Sequence, residues 1–182
     1  MITQMKYAIT GHTEGLGAEL KKQLESDNLV VGVSRTTGYD IRLPEHRSRI
    51  IADTHDCDIF INNAHSSYGQ TQLLYELWEH WKDTPRLIVN IGSNTSDGIK
   101  SHAHEYTAQK TALDKANEQL AYLNHACRVT MFKFGYLGTE KILNNYSPPE
   151  FIELTTAAKI IISNLSHPAR LITMTILPQK KD

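Results

Sequence analysis

The stretch Thr10-Gly11-His12-Thr13-Glu14-Gly15-Leu16-Gly17 decides how this 182-residue chain is read. Before it, Lys6-Tyr7-Ala8-Ile9 has the apolar character of a short strand. After it, Ala18-Glu19-Leu20-Lys21-Lys22-Gln23-Leu24 reads as a helix. Strand, glycine-rich turn and helix form the opening of a dinucleotide-binding unit. Gly11 suits the tight turn because it has no Cβ, Gly15 admits close backbone approach to a pyrophosphate, and Gly17 lets the helix sit tightly on the strand. The N–H groups of the first helical turn and the helix dipole then face the phosphates. A glycine pattern alone is a weak sign, so the remaining chain has to agree with it.

Outward from the turn, strand and helix patterns alternate. Strands are expected at 6–10, 29–33, 58–62, 86–91, 128–134 and 171–177, with a very short one at Tyr39-Asp40-Ile41. Helices are expected from about Leu16 to Glu25, Pro44 to Thr54, Leu73 to Trp81, Glu105 to Asn124, and Pro148 to about Leu165. The Leu73–Trp81 segment puts Leu74, Leu77, Trp78 and Trp81 on one face. Such alternation predicts an α/β, Rossmann-type, doubly wound parallel sheet of about seven strands with helices on both faces. No linker or repeat divides the chain, so residues 1–182 are expected to form a single domain.

The bulk numbers narrow the function classes. Lys and Arg total 19 and Asp and Glu 20, a balance that gives no footprint for nucleic acid or an anionic membrane. No signal-like start and no apolar run of ~18 residues is present, so a soluble cytoplasmic protein is expected. Cys57 and Cys127 are isolated and read as free buried thiols. The nine histidines read mostly as surface residues; His102 and His104 alternate, but nothing completes a metal-ligand set.

Ligands of open α/β sheets sit at the carboxyl ends of the strands. The strand at 29–33 is followed by Ser34 and Arg35. An NAD site usually carries an acid there, about 20 residues past the glycines, whereas an arginine suits a 2′-phosphate. Glu14 argues the other way, since a carboxylate in the glycine turn repels phosphate. Asn62-Asn63-Ala64 follows the next main strand, and Gly92-Ser93 the one after. Tyr106 and Lys110 lie one turn apart on one face of the longest helix. An ammonium close to a phenol pulls the phenol's pKa below its usual ~10, so it can exchange a proton near neutral pH.

Together these motifs resemble the short-chain dehydrogenase/reductase family in its common, non-extended subtype. The resemblance runs along nearly the whole chain. Thr10, Gly11, Gly15 and Gly17 match its T-G-x-x-x-G-x-G turn, and Asp40-Ile41 its adenine-contacting pair. Asn62-Asn63-Ala64 matches N-N-A-G, with His65 in place of the glycine. Ser93 stands at the family's distance from Tyr106-Thr107-Ala108-Gln109-Lys110, which matches Y-x-x-x-K. Phe134-Gly135-Tyr136-Leu137-Gly138-Thr139 resembles P-G-x-x-x-T, with Phe for Pro. The resemblance implies Ser93, Tyr106 and Lys110 as catalytic residues. Tyr106 would protonate a carbonyl oxygen, Ser93 would orient it, and Lys110 would bind the nicotinamide ribose and lower the Tyr106 pKa. Cofactor contacts would extend over Thr10, Gly11, Thr13, Gly15, Leu16, Gly17, Ser34, Arg35, Asp40, Ile41, Asn62, Asn63, Ala64, Gly135, Leu137 and Thr139, besides Tyr106 and Lys110. It implies an oxidoreductase acting on a small carbonyl or alcohol, NADP(H) preferred with NAD(H) possible, in a homodimer or homotetramer without nucleic acid, membrane or metal. The alternative is an NADP(H)-binding sensor or scaffold without redox turnover.

The chain departs from the family in being short. Only four residues separate Arg35 from Asp40, leaving no room for a helix. The family's catalytic Asn has no evident counterpart; Gln70, Gln72 or a backbone carbonyl remain open as substitutes. Pocket side chains are expected from Ser93–His104 and Gly135–Tyr146, with a brief loop at 140–147. His65 reads as a replacement tolerated beside a trimmed neighbour, or as a ring that contacts ligand.

Overall fold

A computed structural model describes residues 4–98 and 103–180. Six strands, β1 (Lys6–Thr10), β2 (Leu29–Val33), β3 (Ile59–Asn62), β4 (Leu87–Ser93), β5 (Arg128–Phe134) and β6 (Thr173–Ile176), make one sheet. Their order is β2-β1-β3-β4-β5-β6, and every pairing is parallel. The chain winds from β1 to β2 on one side, then crosses back to β3 on the other. The order of winding therefore reverses between β1 and β3 while all strands stay parallel, the place where such sheets open a crevice.

The helices are α1 (Gly15–Leu24), α2 (Pro44–Asp53), α3 (Gly69–Trp81), α4 (Glu105–Tyr122), α5 (Glu140–Tyr146) and α6 (Leu154–Asn164). Alternate strand residues point to opposite faces, and the two cores follow that period. Ala8, Phe60, Ile88, Val129 and Met131 pack with α2, α3 and α4. Tyr7, Ile9, Ile59, Ile61, Val89, Phe132 and Phe134 pack with α1 and α6. The sheet is thus doubly wound. Cys57 and Cys127 are free and buried, and burial pushes their thiols up to about 11 and about 12. No helix among the described residues is long and apolar enough to cross a membrane.

The structure corrects three boundaries. Tyr39–Ile41 is not a strand. Arg35–Thr37 forms a 3-10 turn, closed by Gly38 at φ 88°. The Asp40 N–H then donates to His46 Nδ1 at 2.9 Å instead of to a neighbouring strand. Arg47, buried in α2, holds this corner: it donates to the carbonyls of Ile41 and Arg42 at 3.0 and 3.1 Å and pairs with Glu76 of α3 at 2.8 Å. These bonds hold the short connection from β2 to α2 against the start of α3. Second, α3 begins at Gly69, four residues earlier than expected. A Cβ there would stand 2.6 Å from the Ile41 carbonyl oxygen, so only glycine lets the trimmed segment lie this close. Third, Pro148-Pro149 lies in loop. The last helix starts at Leu154, and the stretch expected as loop contains α5, capped by the Thr139 hydroxyl accepting from the Ile142 N–H at 3.2 Å.

Gly17 is the tightest position of the turn. A Cβ on it would collide with the Gly11 carbonyl and stand 2.7 Å from Asn63 Nδ2. Gly17→Ala is predicted to lower stability by about 1–3 kcal/mol, the usual cost of overpacking, and to weaken nucleotide binding with it. Denaturant unfolding of both proteins measures the change; a variant as stable as the parent would contradict this packing.

Candidate active site

The glycine turn is locked to two strand ends. Gly11 and Gly15 adopt φ 70° and 55°, conformations that cost a side chain dearly. The Gly11 N–H donates to Val33 O at 2.8 Å. The Thr10 hydroxyl accepts from the N–H groups of Asn63 and Ala64, both at 2.9 Å, and Asn63 Nδ2 donates to Thr10 O at 2.9 Å. Helix α1 starts directly behind the turn. Its N-cap, Glu14, makes no side-chain capping bond. The first-turn N–H groups are therefore not capped by that side chain, which favours an anion in front of them.

In front of α1 lies a groove of about 940 Å³, near the upper end of the ~300–1,000 Å³ typical of small-molecule sites. Of the residues expected to contact cofactor, Gly11, Thr13, Gly15, Ser34, Arg35, Asp40, Ile41, Asn63, Ala64 and Thr139 line it. Thr10, Leu16, Gly17 and Asn62 are buried behind its wall. Asn62 spends its side chain inward, donating to Gln70 O and Asn90 Oδ1, both at 3.0 Å. Gly135 and Leu137 lie outside the lining, tied by backbone pairing to Ile176 and Ile152. Lys141, Asn144 and Asn145 line the groove from within the Gly135–Tyr146 stretch expected to supply pocket side chains, but they do so from helix α5 where a loop was expected.

Charges along the groove are unevenly committed. Asp40 is held by Arg42 through a bidentate contact, Nε to both carboxylate oxygens at 3.0 Å, which brings its carboxyl down to about 2. Arg35 has no hydrogen-bond or ion-pair partner among the described residues. Glu14 and Glu140 share the wall with Arg35 and Lys141.

Ser93, Tyr106 and Lys110 come together at the inner end, beyond the groove lining. Ser93 ends β4, and its oxygen accepts from the Thr95 N–H at 3.3 Å. The 3-10 turn after it is anchored by Asp97 and Ser96. Asp97 pairs with the buried Lys133, and Ser96 donates to Asp114, which also pairs with Lys133 at 2.6 Å. Tyr106 opens α4, with the His65 ring edge-on at 4.8 Å and the His104 ring at 5.9 Å. Lys110 is 3% exposed, its Nζ 5.7 Å from the centre of the Tyr106 ring. His65 lines the groove on one side and touches Tyr106 on the other. His65 thus connects the groove to Tyr106. His102 and the rest of 99–102, part of the expected pocket, lie outside the described residues.

The titration behaviour also departs from expectation. Lys110 stands over the face of the Tyr106 ring rather than beside its hydroxyl, and it does not depress the phenol. Desolvation raises the Tyr106 pKa above 10, opposed by the Ser93 hydroxyl. Burial brings Lys110 down to about 7, opposed by Asp114. Burial, then Lys110, bring His65 down to about 4, so its ring is neutral near pH 7.

Lys110 yields a pH prediction. Its ordinary pKa is 10.5 and its folded value about 7. Between these values the unfolded chain binds more protons, so stability rises with pH across that window; the cost of burying the ammonium is full below it. Lys110→Met is predicted to flatten that rise, measured by denaturant midpoints at about pH 6.5 and 9. An unchanged slope would contradict a buried, depressed ammonium.

Neither a protein-family model nor a curated protein sequence matches the chain. Solved structures do. A short-chain dehydrogenase from Burkholderia cenocepacia J2315 in complex with NADP superposes with TM-score 0.80 at 22% identity, over 93% of this chain and 87% of its own. The 3-ketoacyl-(acyl-carrier-protein) reductase of Brucella melitensis, complexed with NADH, gives 0.77 at 17% identity over 95% and 96%. The 3-alpha-hydroxysteroid dehydrogenase of Pseudomonas sp. B-0831, complexed with NADH, gives 0.76 at 16% over 94% of both chains. This chain, with its parallel sheet, glycine turn and groove at the switch point, has the fold of the short-chain dehydrogenases/reductases.

Proposed function

We propose that the chain is a nicotinamide-dependent oxidoreductase that prefers NADP(H) and reduces a small carbonyl compound, or oxidises the corresponding alcohol. One observation carries the reading: Ser93, Tyr106 and Lys110 converge at the inner end of a groove whose outer wall is a glycine turn and an uncommitted arginine. The residues present fit such a cofactor. A Cβ on Gly17 would destroy the cradle, α1 offers first-turn N–H groups that its N-cap side chain leaves uncapped, and Arg35 at the exit of β2 suits a 2′-phosphate. Asp40 is paired with Arg42, which dominates its surroundings, and it feels Arg35 only as a lesser, longer-range charge. Glu14 is the one wall residue of the wrong sign at the turn.

When bound, the cofactor supplies or accepts hydride. The protein handles the proton and the geometry. Ser93 donates a hydrogen bond to the carbonyl oxygen and fixes its position. Tyr106 gives that oxygen its proton. The raised phenol keeps this proton at neutral pH, which suits the direction of reduction. Lys110 would hold ribose hydroxyls of the cofactor with its ammonium. The same geometry makes oxidation, which needs the phenolate, favour alkaline pH.

A sensor that binds NADP(H) without turnover is the second reading. It is favoured by His65, which stands at the inner wall while the three residues behind it do not line the groove.

A single set of titrations and assays separates these readings. Tyr106→Phe is expected to lose about 10²–10⁴-fold in turnover across a panel of aldehydes and ketones, with NADPH affinity kept. Arg35→Ala is expected to weaken NADPH about 10–100-fold, from the loss of charge-assisted hydrogen bonds, and NADH hardly at all. NADPH binding without any oxidation over the panel favours the sensor. Equal losses for both cofactors would show that Arg35 does not read the 2′-phosphate.

A further inference from the structure

Gln70 lies at the second position of α3 and is 2% exposed. Its Nε2 donates to Asn62 O at 2.7 Å and to Ile91 O at 3.1 Å. Both partners are backbone carbonyls, which only accept, so the carboxamide has a single orientation: NH2 toward the ends of β3 and β4, oxygen away from them. That oxygen accepts from Lys110 Nζ at 2.8 Å. Ile91 O takes a second ammonium hydrogen at 3.0 Å. Asn62 grips the same residue again, Nδ2 donating to the Gln70 main-chain carbonyl at 3.0 Å.

An ammonium carries three N–H groups. Two are committed to neutral oxygens, and the third has no hydrogen-bond partner among the described residues. The titratable groups around Lys110 are accounted for. Asp114, one turn further along α4, is engaged by Lys133 and Ser96. His65, between β3 and α3, is a neutral ring near pH 7. Tyr106 presents its ring face. None is a carboxylate bonded to Nζ.

We propose that Gln70 is the positioning residue of Lys110: its carboxamide, clamped between the Asn62 and Ile91 carbonyls, fixes the ammonium through a neutral acceptor and leaves its third N–H for the ligand of the groove. The proposal deepens the reductase reading and rests on it for the identity of that ligand. It gives physical content to the neutral clamp. A glutamate at position 70 would compensate the ammonium permanently, as an internal ion pair. A glutamine leaves the charge incompletely compensated, so that a ligand hydroxyl or phosphate improves its surroundings. Gln70 touches Lys110 directly, with no intervening solvent molecule needed to span the gap.

The test follows the titration of Lys110 by NMR in the full chain labelled at lysine Cε, with the Lys110 signal assigned by its loss in Lys110→Met. Gln70→Glu is expected to raise the Lys110 midpoint by about 1–3 units, as an opposite charge at contact does. Gln70→Met, which removes the acceptor, is expected to lower it and to weaken NADPH about tenfold, the worth of one charge-assisted hydrogen bond. A Lys110 midpoint the same in the parent and both variants would overturn the assignment. In the unmodified protein, the Gln70 side-chain amide protons are expected to exchange slowly, since both are donated to buried carbonyls; fast exchange would overturn the clamp even if a variant failed to fold. Shifted midpoints together with no NADPH binding by the parent protein would support the clamp and refute the cofactor, so the two readings fail separately.

Discussion

The clasp between the ends of β1 and β3 is the interaction on which the site depends. One hydroxyl, that of Thr10, takes the N–H groups of Asn63 and Ala64, and the Asn63 carboxamide answers by donating to the Thr10 carbonyl. These bonds hold open the point where the winding of the sheet reverses. They set the glycine turn on one lip of the crevice and Ala64-His65 on the other. Because the clasp uses Thr10 and Asn63 inward, the motif residues that look most like ligand contacts include some whose work is to shape the cradle. Asn62 belongs with them: it continues through Asn90 and Asn117 to the Ile172 carbonyl, a buried chain of amides tying β3, β4 and α4 to the approach of β6.

The order of strands and helices was legible because the chain is locally consistent. Apolar runs at β1, β3, β4 and β5 alternate with helices whose apolar faces match them, and the glycines at 11, 15 and 17 have one geometric reading. Four motifs in the right order pointed to the fold before any coordinate did. The trimmed region between β2 and α2 was not legible. Tyr39-Asp40-Ile41 has strand-like composition, yet Gly38, the Asp40–His46 bond and buried Arg47 turn it into a corner. These are long-range bonds between side chains and backbone, and hydrophobic periodicity carries no trace of them. The helix at Glu140–Tyr146 was missed for the opposite reason: it is short, lacks a buried face, and is started by the Thr139 cap.

Within the site, the spacing that places Tyr106 and Lys110 near each other does not foretell their electrostatics. Tyr106 and Lys110 lie one helical turn apart, which suggests an ammonium beside a phenol. The structure puts the ammonium over the ring, where burial lowers the Lys110 pKa and raises that of Tyr106. The choice among Gln70, Gln72 and a backbone carbonyl as substitute for the family's catalytic Asn stays open in the sequence, because the placement of Gln70 depends on two carbonyls from different strands converging on one carboxamide. Close contacts cluster around this corner and the site behind it: Gly69 against Ile41, Arg47 on the corner, and Gln70 on the lysine.

The proposed function requires one ligand to span the groove from the glycine turn to Tyr106. The most direct measurement is a titration of NADPH into the full chain, followed at once by ring resonances of His65 and Tyr106 and by backbone resonances of Gly11, Gly15 and Gly17. One saturable event that moves both sets with the same midpoint is expected. Saturation that moves the glycines but leaves His65 and Tyr106 in place, or no binding at millimolar NADPH, would contradict it.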